Sequence, residues 1–68
     1  MNQIQWLEQC ISEAEAILQA DENRLAHNPH SFGARLVRNS MATHLDNLRR
    51  ELAAEKAKEE ALEYLARV

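Results

Sequence analysis

The sequence predicts an all-α chain, an antiparallel helical hairpin whose second helix is the longer, dimerising into a four-helix bundle. Three observations carry that expectation. Ala, Leu, Glu, Gln, Lys and Arg dominate the 68 residues while Gly and Pro occur once each, and such residues lose little freedom in a helix. Two apolar stripes at helical spacing are separated by one short stretch, "RLAHNPHSFGAR" from Arg24 to Arg35, which holds both breakers. A chain this short also buries too little of its surface to be comfortably stable alone. Its single cysteine rules out an internal disulfide framework, and one Cys with three His offers no paired zinc ligands. Oligomerisation is the stabiliser that remains.

The first helix is expected from about residue 3 to about residue 26 of a single 1–68 domain. Asn2 is a favoured N-cap with Gln5 at the third helical position, and Met1 and Trp6 are spaced for a hydrophobic staple. This signature reads as a native start. Ile4, Leu7, Ile11, Ala14, Leu18 and Leu25 then alternate at steps of three and four, with Asp21 interrupting the stripe between the last two.

The turn is expected at about residues 27–31, and the second helix at about 29–67. Asn28 precedes proline and is itself a good cap, while Pro29 suits a first helical position. Ser31 is the competing cap, and Gly33 weakens the first turn. The second stripe runs through Ala34, Val37, Met41, Leu45, Leu48 and Leu52, after which Glu55 and Glu59 end it. An antiparallel first helix of some 24 residues, roughly 36 Å long, covers its partner only to about residue 52. Both the stripe and the cover stop there.

Beyond lies "AAEKAKEEALEYLARV", free of breakers and strongly helix-forming, an overhang of about 22 Å. Ala54, Ala57, Ala61, Leu65 and Val68 lie on nearly the opposite side from Leu45, Leu48 and Leu52. Trp6, Cys10 and Ile17 form a second row on the first helix that one neighbouring helix does not cover. With Leu62 and Leu65 of the overhang, they are the expected self-association surface. The hairpin core is expected from Ile4, Leu7, Ile11, Ala14, Leu18, Leu25, Val37, Met41, Leu45, Leu48 and Leu52.

The formal net charge is −3, so the molecule as a whole is not drawn to nucleic acid or anionic lipid. Apolar runs reach only three residues, as at Ala16-Ile17-Leu18, and no basic segment leads into an apolar one. Neither a membrane span nor a signal peptide is expected, and the unpaired thiol points to the cytoplasm. His27-x-x-His30 spans the proline and lacks a second ligand pair, so no metal or other cofactor is expected. Cys10 has no histidine near it in sequence and the serines no evident base, which makes this a non-enzymatic chain by expectation.

The expected function is therefore an oligomerisation or adaptor module that partners itself. The alternative is a small regulatory binding protein: a compact inhibitor of another protein, or an RNA binder using Arg24, Arg35 and Arg38 at the turn end. Phe32 and Leu36, off the main stripe, are expected to close that end of the bundle.

Overall fold

Both helices begin where a side chain can accept from the otherwise unsatisfied amides of a first turn. Asn2 Oδ1 accepts from the Gln5 amide at 2.8 Å, and Gln5 Oε1 accepts from the Asn2 amide at 3.3 Å, closing a reciprocal capping box. Helix α1 follows over Gln3–His27 and helix α2 over Phe32–Arg67. The computed structural model describes residues 2–68, so the Met1 side of the expected staple lies outside the described residues.

The turn resolves the choice of second cap. The Asn28 amide donates to the carbonyls of Arg24 and Leu25, both at 3.1 Å, and so closes α1. The next capping side chain is Ser31, whose Oγ accepts from the Ala34 amide at 3.1 Å. Helix α2 thus starts at Phe32 rather than at about residue 29, and Pro29 lies in the turn. Arg35 Nη2 donates to the Pro29 carbonyl at 3.2 Å and ties the turn to the new helix.

Order along the two helices shows that they are antiparallel. Ile4 shares a cleft with Glu55 and Leu62, Glu15 lies within 3.6 Å of Arg49, and Ile17 shares a groove with Met41. The core between them is a single line: Leu7, Ala14, Leu45 and Leu48 are buried, with Cys10, Ile11, Leu18, Met41 and Leu52 packed against it. Alternating steps of three and four keep such a line on one side of each helix. Continued towards the turn on the same spacing, it sets Asp21 level with Arg38 and Leu25 level with Ala34.

Two polar residues enter this line, and one correction follows. Asp21 is 5% exposed, inside the stripe it was expected to interrupt. Val37, expected in the core, is 48% exposed, while Arg38 is half-buried in its stead. From Leu45 the inward step passes to Met41 and then to Arg38, so the spacing that best serves the middle of α2 turns Val37 onto a flank. Arg24 Nη1 lies 3.7 Å from Asp21 Oδ1, whereas Asp21 Oδ2 and Arg38 Nε are buried with no hydrogen-bond partner.

Cover from α1 reaches slightly further than residue 52, because Glu55 is half-buried and shares a cleft with Ile4. Every residue after Glu55 is exposed, and this overhang, about 20 Å at 1.5 Å per residue, gives the molecule its 58 × 18 × 12 Å outline.

Candidate interaction surface

A two-helix layer has two broad faces, and on this molecule they differ. One carries the pair Glu15–Arg49. On the other, the α1 row Trp6, Cys10, Glu13 and Ile17 runs beside the α2 row Val37, Met41 and His44, each spaced at three or four residues and so on one side of its helix. Leu62 extends the α2 row, since the positions Val37, His44, Glu51, Glu55 and Leu62 recur on one side at 100° per residue. Trp6 is 49% exposed, Ile17 48% and Leu62 61%.

Between the two rows lies a groove of about 160 Å³ lined by Cys10, Glu13, Ala14, Ile17, Met41 and His44. Cys10 is half-buried and carries a free thiol. The groove unites Cys10 with His44, which is remote in sequence and lies on the other helix; only the antiparallel register puts them together. No histidine is near Cys10 in the sequence, and the two residues border one groove only in the folded hairpin.

Other sequence-selected residues are placed as follows. Ile4, Leu7, Ile11, Ala14, Leu18, Leu25, Met41, Leu45, Leu48 and Leu52 all lie buried or half-buried along the interhelical line. Leu65 is exposed on the overhang, further round the helix than Leu62. Phe32 is 76% exposed and Leu36 55%, so neither closes the turn end within one hairpin.

The three arginines of the turn end are held in different ways. Arg24 is engaged with Asp21, Arg35 with the Pro29 carbonyl, and Arg38 has its Nε inside the hairpin. His27 Nδ1 lies 2.8 Å from the Asn23 carbonyl oxygen, an ordinary contact one helical turn back. Among the described residues no group of three or more His, Cys, Asp or Glu is placed to hold a metal ion. No described helix is long and apolar enough to cross a membrane.

No protein-family model, curated protein or solved structure matches this chain.

Proposed function

We propose that this chain is a non-enzymatic oligomerisation module of the cytoplasm whose partner is a second copy of itself, two hairpins packing into a four-helix bundle. One observation carries the reading: Trp6, Ile17, Val37 and Leu62, all large and apolar, are about half exposed or more on one face. Large apolar side chains left exposed along one face of a small chain mark a contact with another macromolecule, and tryptophan is enriched at the energetic centres of such contacts. Among the described residues only Leu7 of the large side chains is fully buried in the single hairpin, so one copy alone has a thin core. A second layer of helices would remove the exposed row from water, with burial contributing about 25 cal/mol per Å² of apolar area.

The test is molar mass in solution. Sedimentation equilibrium or light scattering at micromolar concentration is expected to return two chains, twice 7.8 kDa. A cooperatively folded species of one chain at high concentration would reject the proposal, leaving the face to a different protein.

A further inference from the structure

If two copies pair through this face, a reading on which the following rests, the face also determines how. Closed pairs of identical chains are related by a two-fold axis, so each contact occurs twice with roles exchanged. For two helical layers packed face to face, that axis lies in the interface, either along the helices or across them.

Two features of the face call for the axis across. Trp6 stands on the same α1 row as the groove between Cys10 and Ile17, displaced from it towards the N-terminus. An axis at the level of Cys10 turns the second copy end for end and sets each Trp6 over the partner's groove, where Cys10, Ala14, Ile17 and Met41 lie between Glu13 and His44. Independently, Val37 and Leu62 are exposed on one α2 row, roughly 37 Å apart at 1.5 Å per residue. They meet between copies when the axis passes at the level of Arg49. On the three-and-four spacing of the shared line Ile11 falls level with Leu48 and Cys10 with Arg49, so both matches call for the same axis.

On the α2 row this axis sets Glu51 opposite its own copy and exchanges Glu55 with His44. The same axis brings the half-buried Glu55 carboxylate over the partner's His44, which rims the groove. It also sets the Trp6 indole N–H, a donor that needs a partner once desolvated, near the partner's Glu13. An axis along the helices does neither: it leaves Leu62 over the partner's N-terminal end and Trp6 over helix surface rather than groove. We infer that two copies dimerise end for end about an axis beside Cys10, with Trp6 of each seated in the Cys10–His44 groove of the other and Leu62 of each overhang against Val37 of the other.

The experiment is disulfide trapping in the full chain. Val37→Cys and Leu62→Cys are introduced together in a Cys10→Ser background; both sites are exposed in the hairpin, and circular dichroism checks that helicity is kept. The introduced thiols are too far apart to join within one chain, since a disulfide needs Cα atoms within about 7 Å. Mild oxidation is expected to give a covalent dimer, with peptide mapping showing residue 37 joined to residue 62. Trp6→Ala, in the otherwise unaltered chain, is expected to weaken dimerisation about tenfold or more. A dimer by mass that fails to form the 37–62 link overturns this geometry and leaves self-association standing. One chain by mass overturns both, and a Trp6→Ala change under about twofold overturns the tryptophan-in-groove contact.

Discussion

Helix α2 is continuous over its whole length, yet its two parts are held by different physics. From Ala34 to Glu55 it lies against α1, and its inward side chains are buried or half-buried. From Lys56 onward every side chain is exposed, and helix persists through intrinsic propensity. An isolated helix as short as the overhang is marginal in water, because starting a helix is costly; extending one already nucleated by packing is not. The comparison separates what tertiary contact supplies from what the local sequence supplies.

Truncation should expose this difference most strongly. Leu7→Ala, at a position with no solvent exposure, is expected to cost about 2–5 kcal/mol, read from urea denaturation at dilution. Leu65→Ala in the overhang is expected to change the midpoint negligibly under the same conditions. Equal effects would mean that the overhang is packed in the single chain. Repeating the pair of measurements at high concentration sharpens the test, since the overhang gains contacts only if copies associate.

The buried polar layer near the turn should respond in the opposite sense. Asp21 has one buried carboxylate oxygen without a partner, and leaving such a group unsatisfied costs about 1–3 kcal/mol. Asp21→Leu extends the Leu18 stripe and is expected to stabilise the hairpin by that order, seen as a higher denaturation midpoint. A loss of stability would show that Arg38 depends on the carboxylate more than the carboxylate costs. Such a layer also disfavours slipped pairings, because a shift of one heptad sets Asp21 level with Leu45 or with Ser31.

Smaller effects belong to the surface. A methyl group added at Gly33 meets no atom within 4 Å, and the glycine does not use a left-handed backbone. Gly33→Ala is expected to stabilise by about 0.5–1 kcal/mol in thermal unfolding, and no gain would place the helix start later than Ser31. Arg49→Ala removes the 3.6 Å pair with Glu15, but both side chains are about half exposed. Its effect should stay below about 0.5 kcal/mol and vanish at high salt.

How much of this was legible beforehand follows from the range of each interaction. The capping box at Asn2 and Gln5 and the α1 stripe were readable because they act within a few residues. The same holds for the stop at Asn28-Pro29. The start of α2 was legible only as a choice between two caps, and in the fold it is Ser31 Oγ that accepts from the Ala34 amide. The Trp6, Cys10 and Ile17 row was visible as surplus apolar surface. Its neighbours Val37 and His44 were not, since rows on different helices come together only once the register is fixed.

By itself, then, the sequence determined two helices of unequal length, their fold-back and the residues of most of the shared line, because propensity, capping and periodicity are local properties of a chain. Tertiary structure alone decided that Arg38 turns inward and Val37 outward, that Asp21 is buried, and that Cys10 and His44 border one groove. Those outcomes depend on which residues of the opposite helix stand at the same level, and hydropathy ranks side chains without knowing what faces them.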